Sequence, residues 1–206
     1  VKVGMELFYR EGPALVTALK EQGFTVFLDL KLYDIPNTVQ QATKNVARLG
    51  VDYLTVHAAG GVRMLQAAKN GAQEGADAAG VTAPKLLAIT QLTSFSEEEM
   101  QTTQLVTVPM RESVIHLAQL AAEAGVAGTI SSAFESSDIH ANTPAGFLSI
   151  TPGIRLAGDA VGDQSRVVTP ARAAEMGADG IVVGRSITQA TDPVAAYQLI
   201  ETEFNV

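Results

Sequence analysis

Along this chain, apolar runs rich in β-branched residues alternate with stretches whose apolar positions recur every three to four residues. Runs near residues 1–8, 25–32, 53–58, 85–92, 128–133, 147–152 and 180–185 read as seven strands. Most are almost continuously apolar, as expected where both faces of a parallel strand are covered. Gly23, Gly50, Gly125, Gly146 and Gly177 each end a helical stretch just ahead of such a run, the position where a left-handed residue closes a helix. Between the runs, Val39, Ala42, Val46 and Leu49 fall on one helical face, and residues 111–124 form a helix rich in Ala and Leu. Thr169-Pro170 and Asp192-Pro193 each combine an N-cap with Pro at the first helical position.

Strand followed by helix, repeated, predicts an α/β fold with a parallel sheet. Seven repeats approach the eight of a TIM barrel. The chain opens on Val-Lys-Val-Gly, without Met and already strand-like. The expectation is therefore a TIM (β/α)8 barrel lacking its first strand and helix in this chain. An open doubly wound sheet is the alternative, although no GxGxxG or Walker loop is present to support it. With no linker or low-complexity stretch, residues 1–206 read as one domain.

Composition narrows the partners. The chain of 206 residues is 47% hydrophobic and 17% charged, an ordinary globular balance. A formal net charge of −8 argues against nucleic acid or an anionic membrane surface. A small anionic substrate fits only if a few cations gather in one pocket. With no Cys, thiolate catalysis, disulfides and Cys-ligated zinc are excluded. No apolar run has transmembrane length and no signal peptide is visible, which makes the cytoplasm the expected location.

In a barrel of this kind, function sits at the C-terminal ends of the strands, and the polar residues collect there. Lys2 lies in the first run. Asp29, Lys31 and Asp34 end the second, within "FLDLKLYDIPNT", and His57 ends the third. Thr93 follows the fourth, Ser131 and Ser132 end the fifth, Arg155 follows the sixth, and Gly184-Arg185 end the seventh. Asp29 and Lys31 are two apart, so in a strand they share a face. A flanking carboxylate would keep a buried Lys charged; a structural ion pair is the plain alternative. "TPGIR" (151–155) and "VVGRS" (182–186) follow the last two strands, where barrels often bind phosphate. Between them, "LAGDAVGDQSR" has the length of a lid carrying Gln164. Of the other histidines, His116 is predicted helical and His140 in a loop. Glu97, Glu98 and Glu99 read as a solvated helix start, and Asp52, Asp77 and Asp179 as turn residues.

Taken in order, "VKVGMELFYREG", "FLDLKLYDIPNT", "VHAAGG", "QLTS", "TPGIR", "DQSRVVTP" and "VVGRSI" resemble bacterial orotidine 5′-phosphate decarboxylases over essentially the whole chain. The Asp-x-Lys-x-x-Asp-Ile-Pro-Asn-Thr block is the most specific part. The resemblance implies a TIM-barrel homodimer that converts orotidine 5′-monophosphate to UMP and CO2 without cofactor or metal. Position by position, it implies that Lys31 is the proton donor, with Lys2 and Asp29 beside it in a charged network. Asp34 and Thr38 match positions that reach the partner subunit's site, and Thr93 matches a pyrimidine contact. Arg155, Gln164, Gly184 and Arg185 match nucleotide and phosphate contacts. His57 and Pro152 are candidates for the border of the site. The family's first-strand Asp, which binds the ribose, has no counterpart ahead of Val1.

The chemistry expected on this resemblance is electrostatic. Loss of CO2 from C6 leaves an electron pair in the plane of the uracil ring, where the π-system delocalises it poorly. A fixed ammonium at Lys31 can stabilise that charge and then protonate it. Two rivals remain. Mg2+-dependent sugar-phosphate decarboxylases and aldolases of the same superfamily share the Asp-x-Lys-x-x-Asp pattern, and an inactive nucleotide-binding barrel would share the fold.

Overall fold

The computed structural model describes residues 1–156 and 166–205. The chain divides into two compact units, Val1–Ile89 with Gln119–Gly128, and Thr90–Ala118 with Thr129–Val206. The first unit runs β1 (Lys2–Gly4), α1 (Met5–Glu11), α2 (Pro13–Glu21), β2 (Phe27–Leu32), α3 (Pro36–Ala47), β3 (Tyr53–His57), α4 (Gly61–Ala79) and β4 (Lys85–Ile89). After α5 (Glu97–Gln104), α6 (Met110–Ala124) and β5 (Gly128–Ile130) are divided between the units. The second unit continues with α7 (Ser136–Asn142), β6 (Leu148–Thr151), α8 (Pro170–Glu175), β7 (Gly180–Ile181), α9 (Arg185–Thr188) and α10 (Pro193–Phe204). Among the described residues the sheet order of the strands is their chain order, β1 to β7, and the recorded pairs β1–β2, β2–β3, β3–β4 and β6–β7 are all parallel. That succession belongs to (β/α) barrels; a doubly wound sheet reverses its order at a switch point.

Most of the helix-closing glycines stand where the pattern predicts. Gly23, Gly50, Gly125 and Gly177 have φ between 70° and 86°, a region costly for any residue with a Cβ. Gly146 closes no helix, since α7 ends at Asn142, and its φ of 84° serves a turn in which Phe147 N donates to Pro144 O at 3.1 Å. Both predicted caps form. Thr169 Oγ1 accepts from Arg172 N at 3.3 Å, and Asp192 Oδ1 accepts from Val194 N and Ala195 N at 3.1 and 3.0 Å. The acidic run opens α5 as expected, with Ser96 and Glu99 exchanging reciprocal bonds of 3.1 and 2.8 Å in a capping box.

Helices α3 and α4 pack at unusually close range. The α3 face is Val39, Thr43 and Ala47, all buried, with Ala42, Val46 and Leu49 half-buried beside it. Opposite lie Gly71 and Gly75 of α4, where a Cβ would collide with the backbone carbonyl oxygens of Gln40 and Lys44. Bare backbone on one helix thus lets the other approach, and Ala68, Ala72 and Ala76 keep the rest of that face small and buried.

Several expectations need correction. The first strand ends at Gly4, and residues 5–11 turn into α1. The run Met5-Glu6-Leu7-Phe8 mixes strand-like residues with good helix formers, and no residue of α1 is buried, so apolar content alone misled there. The fourth, fifth and seventh strands are shorter than their apolar runs, ending at Ile89, Ile130 and Ile181. His140 is helical, in α7, and Asp77 lies within α4.

Asp52 and Asp179 also do more than turn the chain. Each stands two residues after a helix-closing glycine and accepts the amide of the neighbouring strand segment, Asp52 from Val26 N at 2.7 Å and Asp179 from Ser149 N at 2.7 Å. A basic side chain from the helix that precedes that segment backs each carboxylate: Lys20 at 2.6 Å from Asp52, and His140 at 3.2 Å from Asp179. The same device, used once in each unit, sets the register at the N-terminal end of a strand pair.

Candidate functional site

The first unit assembles the charged array. Lys2 pairs in register with Phe27, and Gly4 with Asp29, so the Lys2 side chain runs along the sheet toward Asp29. Its Nζ lies 2.9 Å from Asp29 Oδ2. Lys31 Nζ lies 2.9 Å from both Asp29 oxygens. The Asp29 side chain is only 13% exposed, against 35% for Lys2 and 30% for Lys31. The carboxylate is the enclosed member and the ammoniums face outward. Burial pushes the Asp29 carboxyl up; the Lys2 charge and the hydrogen bonds from Lys31 and Lys2 outweigh it, and the net result is below the ordinary value.

Simple strand alternation does not produce this contact. The β2–β3 register shifts between Leu28, opposite Leu54, and Leu32, opposite Val56. Four residue steps on β2 face two on β3, a bulge of the kind found beside active sites. Within it Lys31 has φ 50°, one of two positive-φ residues other than Gly among the described residues. Its amide donates to Thr55 Oγ1 at 2.8 Å, and Thr55 Oγ1 donates to Asp29 Oδ1 at 2.9 Å. Thr55 is fully buried. Reading the sequence missed it, because a single Thr within "YLTVH" looks like an ordinary strand residue. The available signal was its place two residues before His57, on the same strand face.

His57 ends β3, half-buried, with its ring 5.4 Å from that of Tyr33 and its buried Nδ1 without a hydrogen-bond partner. Burial, followed by the charge of Lys31, lowers its pKa, which favours a neutral imidazole. Asp34 and Thr38 are exposed, at and just after the turn into α3; Asp34 Oδ1 accepts from the Ile35 amide at 2.6 Å.

The second unit carries the remaining candidates. Thr93 is buried beyond β4. Pro152 follows β6, and Arg155 lies in a short segment whose backbone pairs with Val168: Arg155 N donates to Val168 O at 3.0 Å, and Val168 N to Gly153 O at 3.2 Å. Arg166 is ion-paired to Glu135, which is 3% exposed, and its guanidinium lies 5.6 Å from the centre of the Phe134 ring. Reading the sequence missed this pair too; Glu135 lies 31 positions from Arg166 and nothing local marks it. Gly184 and Arg185 are exposed where α9 begins. Ser131 and Ser132 are buried; the Ser131 hydroxyl lies 3.4 Å from that of Ser149, which donates to Ser136 at 2.9 Å. They form part of the polar packing between strand and helix. Gln164 lies outside the described residues.

Parallel strands in chain order, with an enclosed Asp clamped by two lysines near the end of β2, define an enzyme of the α/β-barrel class. The comparisons with known proteins make this specific. Residues 1–200 match the family described as "Orotidine 5′-phosphate decarboxylase / HUMPS family". The chain is 58% identical over 205 residues to orotidine 5′-phosphate decarboxylase of Enterococcus faecalis, covering 100% of this chain and 86% of that protein. It is also 58% identical to the Cutibacterium acnes enzyme of the same name, covering 100% and 85%. Among solved structures, orotidine 5′-phosphate decarboxylase from Lactobacillus acidophilus superposes with a TM-score of 0.88 at 47% identity, covering 100% of this chain and 87% of that one. The chain belongs to the orotidine 5′-phosphate decarboxylase / HUMPS family. No helix among the described residues is long and apolar enough to cross a membrane.

Proposed function

We propose that this chain decarboxylates orotidine 5′-monophosphate to UMP and CO2, a step of pyrimidine biosynthesis, with Lys31 as the proton donor. The observation that carries the reading is the Lys31 ammonium held 2.9 Å from both oxygens of Asp29, with Lys2 on the same carboxylate. When the bond from C6 to the carboxylate breaks, CO2 departs and the electron pair stays on C6. An ammonium already fixed by Asp29 stabilises that pair without having to reorganise. Its proton then passes to C6, and the Lys31 amine recovers a proton from water. Asp29 or Asp34, anionic beside the substrate carboxylate, also raises the energy of the ground state relative to the transition state, where the departing CO2 has lost its charge.

In this reading Thr93 contacts the pyrimidine, while Arg155, Gln164, Gly184 and Arg185 hold the nucleotide and its phosphate. His57 and Pro152 border the site. Asp34 and Thr38, both exposed in the single chain, reach the site of a second copy in a homodimer. The names of the relatives at 53–58% identity support the decarboxylase over the metal-dependent sugar-phosphate rival. A biosynthetic role supports a location in the cytoplasm.

The test is the fall in orotidine 5′-monophosphate absorbance with time. Lys31→Ala removes the proton donor and lowers turnover by at least about a thousandfold, while calorimetry still registers UMP binding. Near-normal turnover by that variant overturns the assignment.

A further inference from the structure

We propose that Thr55 is a positioning residue for the proton donor: its buried hydroxyl accepts from the Lys31 amide, donates to Asp29 Oδ1, and thereby holds the backbone turn that aims Lys31. This rests on the reading of Lys31 given above.

Three observations carry it. First, the bulge between Leu28 and Leu32 breaks the β2–β3 ladder at Lys31. In a regular parallel ladder the Lys31 amide would bond a carbonyl of β3; here its acceptor is the Thr55 side chain, at 2.8 Å. Second, the hydroxyl has a single proton. Because the amide occupies a lone pair, that proton is directed at Asp29 Oδ1, 2.9 Å away. One side chain therefore fixes both the backbone of the donor and the carboxylate that the donor grips. Third, Lys31 has φ 50°. A long side chain keeps that conformation only where its surroundings determine it. Thr55 is 0% exposed, as are Leu54 and Val56 on either side, so solvent does not compete for the hydroxyl. Its β-branch also restricts χ1, so the oxygen keeps its direction.

The geometry separates this role from plain stability. Thr55→Val keeps the shape and removes both hydrogen bonds. Per UMP-binding site, its kcat falls by about tenfold to a hundredfold, the loss typical of a misplaced reacting group, while KM changes by less than about threefold. The acidic limb of the kcat profile moves to higher pH, because Asp29 loses a donor that favours its charged form. Thr55→Ser restores the hydroxyl and recovers most of kcat. Should Thr55→Val fail to fold, Thr55→Ala, which adds no methyl beside Asp29, is measured the same way. Wild-type kcat per binding site with an unmoved acidic limb, in either variant, overturns the proposal even if the melting temperature falls. Lys31→Ala is assayed alongside. If it retains turnover, the reading of Lys31 fails and this inference with it; if it is inactive while Thr55→Val runs at full rate, only the role of Thr55 falls.

Discussion

Lys2 and Lys31 share one carboxylate: Oδ2 of Asp29 lies 2.9 Å from both ammoniums. Two like charges are thus held together by a single enclosed anion between them. Neither lysine can be understood without Asp29, and the consequences of removing it follow from elementary electrostatics.

Asp29→Asn leaves the two ammoniums facing each other with no compensating charge. At pH 7 the fold loses about 1–3 kcal/mol, less than for a fully buried pair because both lysines retain contact with water. The folded carboxyl titrates below its ordinary value of 3.8. Its ionisation therefore stabilises the fold above that value, and the gain is lost as pH falls through the folded pKa. Urea denaturation at a series of pH values measures this: wild type and Asp29→Asn differ most near neutrality and converge below about pH 3.8.

Arg185→Ala tests the phosphate role. Catalytic efficiency on orotidine 5′-monophosphate falls by about tenfold to a hundredfold, as for loss of a charge-assisted contact. The nucleoside orotidine, which lacks the phosphate, loses much less. Equal losses on the two substrates contradict the assignment.

Gly71→Ala tests the close approach of α3 and α4. The added methyl meets the Gln40 carbonyl oxygen, and backbone cannot move aside as a flexible side chain would. The expected loss is about 1–3 kcal/mol, read from the urea midpoint. This outweighs the roughly 1 kcal/mol that Ala normally gains over Gly inside a helix.

Chelation separates the two chemistries available to this superfamily. EDTA leaves turnover of orotidine 5′-monophosphate unchanged if the Lys31 ammonium supplies the electrostatics. Loss of activity restored by Mg2+ favours the metal-dependent rival.

Much of this was legible along the chain because the responsible physics is local. A left-handed glycine just ahead of an apolar run, such as Gly50 before Val51, closes a helix by its own backbone freedom. Thr169 and Asp192 cap the helices that begin one residue later through bonds spanning two or three positions. The block from Asp29 to Thr38 was distinctive enough to indicate its family. The extent of the strands was less legible: apolar residues continue past Gly4 and Ile181, yet the strands end there.

By itself, the sequence determined the strand-helix alternation, those helix ends that Gly, Thr169 and Asp192 mark, and the identity of the charged residues, because each depends on side-chain type and short-range spacing. Only the tertiary structure decided that Lys31 leaves the extended backbone, that Thr55 ties it to Asp29, and that Arg166 is neutralised by Glu135. Those contacts join residues 24 to 31 positions apart. They are set by the register between strands and by what folding brings beside a charge once water is excluded, and neither is encoded in the local pattern.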